Sequence, residues 1–277
     1  MNDYSRPSFP VPLLLFWLRR ILLMWFLIGF IIFIVQILHC GIYHDNERLK
    51  AVLSLTNVMP SILKNLVGGD MLQMGNITSF IAIAYVHPFV LLLYMIFAVS
   101  VPTDLLAGHV QAGYMELILS RAITKTQVYI CTVILTFAGM FTLVALMFLG
   151  TVVGTSLYDF GQEIPLFPFF RAAVNGALLA GACAGASLFC AASFRSRGRA
   201  VGLAVAYLVA NYLIDLFADW GSFIKFLEPF TLFYYINPQK ILHDPAWPVR
   251  DMSVLAAVMI ITTLAGGIIW QKRDLPL

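Results

Sequence analysis

Six separate stretches of this chain are each long and apolar enough to cross a bilayer, and nothing else narrows its possible folds so far. They run Ile21–Leu38, Thr78–Val101, Val128–Val153, Phe170–Ala192, Ala200–Phe217 and Met252–Trp270. A hydrocarbon core about 30 Å thick takes roughly 20 mainly apolar residues of helix to cross. Lipid offers no partner to a free N–H or C=O, so a crossing is either a helix or part of a closed barrel. The ten-residue alternation of barrel strands is missing. The expected fold is therefore an all-α membrane protein with six transmembrane helices, forming a single domain over residues 1–277. Composition agrees: 61% of residues are hydrophobic, 11% are charged, and the mean hydropathy is +0.88. A water-soluble globule of this size lacks the interior to hide so much apolar surface. That excludes a soluble enzyme, a disordered chain and a disulfide scaffold. The net charge of +3 is small and its bases are scattered, which argues against a nucleic-acid partner. Cys40, Cys131, Cys183 and Cys190 form no CxxC pair, so neither a disulfide framework nor a metal site is expected. The first apolar stretch follows Pro-rich sequence and has no small-residue cleavage pattern before His39, so it reads as a retained span.

Six crossings put both termini on one side. If that side is the cytoplasm, the inner segments carry Arg6, Arg19, Arg20, Arg121, Lys125, Arg195, Arg197, Arg199, Lys272 and Arg273, ten of the 17 bases. The outer segments hold the other seven bases and ten of the 14 acids. The base excess favours cytoplasmic termini, and the tight turn Arg195-Ser-Arg197-Gly-Arg199 is its most decisive part.

The connections add detail. In the first outer loop, residues 58–68 read as a short amphipathic helix closed by Gly68-Gly69. The connection Gly154–Pro168 is short and acidic. The outer stretch Ala218–Asp251 is too polar to span, yet Phe223, Phe226, Leu227, Phe230, Phe233 and Tyr234 recur at spacings of three and four. That pattern predicts one apolar stripe on a short helix broken near Pro229, either re-entrant or interfacial, before the sixth span. An aromatic belt at the outer headgroups fits the same residues. In the inner loop, Tyr114, Leu117 and Ile118 fall on one face of a helix starting at Gly113, with Glu116 and Ser120 on another. Such a helix lies along the inner surface, and a simple interfacial anchor is its plainest reading.

Several intramembrane residues could carry chemistry. His87-Pro88 sits in mid span two, where Pro88 removes a backbone bond and kinks the helix. The histidine lines a transport path or satisfies a backbone carbonyl at the kink. Asn211 and Asp215 share one face of span five. Asp215 lies 16 residues past Arg199, about 24 Å along a helix, near the outer headgroups. It either reaches outer water or lines the exit of a path. Gly176, Gly181 and Gly185 belong to two rows of small residues on span four, which let two helix backbones approach closely. Packing within the chain and packing against another subunit both fit. Ser187 would be a nucleophile only with a base in hydrogen-bond reach, and His87 is the one histidine inside the apolar stretches. No Lys follows a Gly anywhere, so a Walker-type nucleotide loop cannot exist here. A pump built on this chain would draw energy from a partner or an ion gradient. No catalytic residue is assigned.

The inner loop also resembles that of a known family, the type-2 permeases of ATP-binding-cassette exporters. Their first inner loop reads acidic-x-acidic-x-Gly-Thr-x-Glu-hydrophobic-Leu-Leu-Ser-x-Pro-hydrophobic-Ser-Arg. The matching stretch is Gly113-Tyr-Met-Glu116-Leu117-Ile-Leu-Ser120-Arg121-Ala122-Ile-Thr-Lys125. Met59-Pro60 with Leu66-Val-Gly68, Glu228-Pro229-Phe230 with Tyr234-Tyr235 and Pro238, and the ending Gln271-Lys-Arg-Asp-Leu275 are similar to the family in the same order. His109, Gln111, Tyr114 and Ala122 depart from its pattern. The resemblance implies a non-catalytic permease subunit, a multi-pass protein of a bacterial-type inner membrane with cytoplasmic termini. It implies pairing with a second copy or a related permease, and with a cytoplasmic cassette ATPase that binds ATP and Mg²⁺. Gly113, Glu116, Leu117, Ser120 and Arg121 would form the coupling helix that contacts this ATPase. A gradient-driven carrier using His87, or an intramembrane enzyme around Ser187, is the alternative.

Overall fold

The computed structural model describes residues 9–44, 54, 77–121, 123–218 and 221–274. The helix expected over residues 58–68 and the family-like segment around Met59-Pro60 lie outside these residues. Among the described residues every regular element is helical, and six helices are long and apolar enough to cross a membrane. The chain is an all-α membrane protein.

Span one is α1 (Val11–His44). It begins ten residues before the predicted start, because the apolar run continues on the N-terminal side of Arg19 and Arg20. Span two is interrupted: α2 (Ile77–Val86) stops at His87, and α3 (Pro88–Pro102) restarts the helix. A π-helical turn (Thr103–Gly108) and a short turn (His109–Gln111) prolong it. After α4 (Tyr114–Leu119) come span three, α5 (Lys125–Leu157), and span four, α6 (Leu166–Ser193). Thr124 opens α5 with a capping box, accepting from the Gln127 amide N–H at 3.2 Å while the Gln127 side chain accepts from Thr124 N–H at 2.9 Å. Span five is α7 (Arg197–Leu216) and span six is α10 (Val249–Lys272).

Between them lie α8 (Ser222–Leu227), two 3₁₀ turns (Glu228–Phe230 and Phe233–Tyr235) and α9 (Pro238–His243). The short helix broken near Pro229 is as expected, and only the continuity of its apolar stripe is corrected. The helix stops before Pro229, Phe223, Phe226 and Phe230 face outward, and Phe233 turns inward. Pro229 cannot donate to a continuing helix, and the new direction after it re-aims the later aromatics.

The core is built around α6, which is buried along most of its length. In contrast, α1, α7 and α10 keep broad apolar faces outward, as lipid contact requires. Two glycine rows set the close approaches. On α6, a Cβ at Gly185 would meet the Thr262 hydroxyl at 2.5 Å and the Met259 carbonyl at 2.9 Å, and one at Gly181 would meet Met259 Sδ at 2.5 Å. The small-residue face of span four thus packs within the chain, against α10. Gly176 has only Ile236 nearby, at 4.0 Å, and belongs to the contact with the connecting segment. A second pair, Gly150 and Gly154 on α5, seats Gln36 and Cys40 of α1. This G-x-x-x-G spacing follows the same rule.

The connections fall at two ends. One end gathers Arg20, Asp104, Lys125, Arg195, Arg197 and Arg273, which bond across to one another's segments. The other gathers the turn after α5 and the segment between α7 and α10. The basic turn Arg195–Arg199, the helix α4 and the end of α10 thus share one end, as six crossings demand.

Candidate functional site

Among the described residues the basic end holds a polar arrangement that ties three spans together. Arg20 of α1 donates from Nε and Nη2 to the two Asp104 carboxylate oxygens at 2.8 and 3.2 Å. Arg197, the first residue of α7, reaches the same carboxylate at 3.2 Å. The Arg197 backbone N–H also donates to Gln111 Oε1 at 2.8 Å, filling one of the open donors at that helix start. Asp104 therefore joins spans one, two and five. It sits in the π-helical turn, whose wider coil lets the His109 ring nitrogen donate to the Asp104 carbonyl at 2.9 Å. The His109 ring then packs between Trp17 of α1 and Tyr114 of α4, at centroid distances of 5.4 and 6.1 Å. Arg20, Asp104, His109, Gln111, Tyr114 and Arg197 border an open cavity of about 290 Å³.

The helix α4 adjoins this cluster through Tyr114, which lines the same cavity. Gly113 starts it with a left-handed backbone, φ 74°, which strains any residue bearing a Cβ. Met115 is buried, and Ile118 and Leu119 are half-buried. Tyr114 and Leu117, expected on the apolar face, are exposed, at 54% and 66%, as residues turned toward a bilayer surface are. Met115 turns fully to the core. Glu116, Ser120 and Arg121 are exposed as well. Ser120 Oγ donates to the Leu117 carbonyl at 2.9 Å and closes the last turn. Among the described residues neither Glu116 nor Arg121 has an ion-pair partner. All five residues predicted for a partner contact thus fall together on or beside one short, rigidly entered helix.

Two further links stiffen this end. Trp270 Nε1 donates to the Lys125 carbonyl at 2.9 Å, and Lys125 Nζ donates to the Arg273 carbonyl at 2.8 Å. Arg273 in turn donates to the Ala192 and Phe194 carbonyls at 3.1 and 2.9 Å. Burial and the neighbouring Arg195 charge lower the Arg273 pKa from its ordinary value. The C-terminal tail, the start of span three and the end of span four are one knot.

The other predicted residues lie elsewhere. His87 does not merely kink span two. It breaks it, with an extended backbone (ψ 130°), and its Nδ1 accepts from the Phe89 N–H at 3.3 Å, with Pro88 as the first helical residue. The expectation that it satisfies a carbonyl is thus corrected: it caps a donor. Nor is it the one histidine within a span, because α1 extends past His39, whose Nε2 lies 3.2 Å from the Phe80 carbonyl. Near the same level, Gln36 Nε2 donates to Thr151 Oγ1 at 2.9 Å, and Tyr85 OH lies 2.8 Å from that oxygen. These three residues come from three spans. Sequence reading missed the group, since nothing local marks it.

Asn211 Oδ1 accepts from the Leu232 N–H at 3.0 Å, so it pins the connecting segment. Asp215, one turn on, is half-buried and interacts electrostatically with Glu228. Two clamps on α6 were also missed. Arg171, 2% exposed, donates to the Ala246 and Ile241 carbonyls at 2.6 and 2.8 Å. Asn175 Nδ2 donates to the Tyr235 carbonyl at 2.9 Å. Ser187 is buried, and its hydroxyl donates to the Cys183 carbonyl at 2.9 Å in its own helix. The four cysteines are free and buried.

No curated protein matches the sequence. A family model matches residues 32–276, which covers all six spans except the start of the first. The chain belongs to the family described as "Protein of unknown function (DUF2705)".

Proposed function

We propose that this chain is the transmembrane permease subunit of an ATP-binding-cassette exporter, driven by a separate ATPase subunit. The observation that carries the reading is α4. It is a short helix, fixed by a left-handed glycine and a buried Met115, that presents Glu116, Leu117, Ser120 and Arg121 outward at the basic end. Basic ends face the cytoplasm, so α4 and both termini are cytoplasmic in this reading. A push on α4 passes through the His109 stack to Trp17, and through Asp104 to Arg20 and Arg197. Spans one, two and five then move as packed units, as a rigid-body transition requires. The partners are a cassette ATPase holding ATP and Mg²⁺, and a second copy or a related permease.

The test is co-purification of the membrane-embedded chain with a separate ATPase chain, followed by Glu116→Arg. The charge reversal uncouples ATP hydrolysis from transport while insertion is unchanged. Undiminished coupling in Glu116→Arg contradicts the assignment.

The break in span two favours a second reading, a gradient-driven carrier, because interrupted helices build ion and substrate sites at mid-membrane. That reading requires transport without any ATPase and its loss in His87→Leu.

A further inference from the structure

We infer that the groove between α1 and α5 binds one anionic phospholipid of the leaflet at the basic end. The inference is independent of the permease reading and needs only that the chain sits in a bilayer. Leu22, Trp25, Phe26 and Phe33 of α1 and Leu146 of α5 line a cavity of about 260 Å³ whose wall is almost wholly carbon. Gly29 forms its floor, where an added Cβ would meet Leu146 Cδ1 at 2.6 Å. From Leu22 to Phe33 the helix rises about 16 Å. Half of a bilayer core is about 15 Å. The groove therefore runs the depth of one leaflet, the length that an acyl chain occupies.

Its N-terminal end meets the basic end of the chain, where arginine side chains reach for headgroups. Arg20, two residues before Leu22, is joined through Asp104 to Arg197 beside the basic turn. Arg19 falls on the groove's own stripe, three residues before Leu22 and seven before Phe26, while Arg20 turns away to Asp104. Arg19 is exposed and has no ion-pair partner among the described residues. Helical side chains lean toward the N-terminus, so its guanidinium projects out of the groove toward the headgroups. A guanidinium pairs with phosphate in a fork geometry. A headgroup that also carries a quaternary ammonium would set a cation beside Arg19, so the charge selects an anionic lipid.

The test uses the full chain in phosphatidylcholine vesicles, with lipids brominated on the acyl chain as quenchers. The Trp25 signal is the difference in fluorescence between the natural chain and Trp25→Phe. Brominated phosphatidylglycerol is expected to quench it at a mole fraction about fivefold lower than brominated phosphatidylcholine, the selectivity of one surface base. Arg19→Gln should remove that preference and Arg19→Lys should retain it. Inorganic phosphate at millimolar concentration should not compete. Equal quenching by both lipids, or a preference untouched by Arg19→Gln, overturns the inference. So does relief of quenching by free phosphate, which would make this a simple anion site. Absence of Trp25 quenching by either lipid also overturns it, since a second copy of the chain would then cover the groove.

Discussion

Arg20 and Asp104, 84 residues apart in sequence, meet through two hydrogen bonds of 2.8 and 3.2 Å and fasten span one to the end of span two. The same carboxylate holds Arg197, so one acid ties three spans. Asp104→Ala leaves two arginines at the interface without their anion. Thermal unfolding in detergent should show a loss of about 1 kcal/mol, modest because both guanidinium groups are half in solvent. Arg20→Ala made in the Asp104→Ala background should add little to that loss. Full additivity would show that the pair does not act together.

The glycine row on α6 makes a graded prediction. Gly185→Ala drives a methyl into the Met259 backbone carbonyl, which cannot swing aside, and should cost about 1–3 kcal/mol in unfolding experiments. Gly181→Ala meets the flexible end of the Met259 side chain and should cost less. Gly202→Ala meets nothing and Gly176→Ala only Ile236 at 4.0 Å, so neither should lose stability and each should gain up to about 0.5–1 kcal/mol from the helix preference for Ala. A reversed order would contradict the packing of span four on span six.

Arg171 holds the segment between spans five and six by two backbone carbonyls. Arg171→Met keeps the volume but orphans both. Hydrogen exchange over residues 238–246 should accelerate roughly tenfold or more, in line with the loss of a charged hydrogen bond. Exchange within α5 should not change. Unaltered protection over 238–246 would show that Arg171 is no clamp.

Arg171 also shows what a sequence can and cannot reveal. It lies at the edge of an apolar stretch and counts, by position, as one more outer base. Its two partners lie 70 and 75 residues away, on backbone carbonyls that no side-chain pattern announces. The Gln36–Thr151–Tyr85 group is hidden for the same reason. The six spans are legible because lipid imposes a single local demand, about 20 apolar residues of closed helix. Gly113 as the start of α4 is legible because only glycine takes that backbone without strain. The pair Gly150 and Gly154 obeys the same spacing rule as the row on span four, but only the structure shows Gln36 and Cys40 seated there. The burial of Met115 was not legible, since it depends on how the chain enters from Gly113. At His87 the proline predicted a distortion, but a full break follows only once the preceding side chain is seen to cap the new helix.

Gly113→Ala tests the entry into α4. A methyl at φ 74° meets no neighbour but strains the backbone by about 1 kcal/mol. The helix should re-aim or fray, and a cysteine at position 115, buried in the natural arrangement, should become reactive to maleimide. Continued protection at 115 would show that Met115 burial, not Gly113, sets the direction.

In the proposed assembly α4 is the cytoplasmic contact for an ATPase. A photo-crosslinking amino acid at Leu117, activated in intact membranes, tests it most directly. The account predicts a covalent adduct, identified by mass spectrometry as a cassette ATPase and lost in Glu116→Arg. Labelling of Leu117→Cys by a membrane-impermeant reagent from outside the cell, or adducts that never include an ATPase, would contradict it.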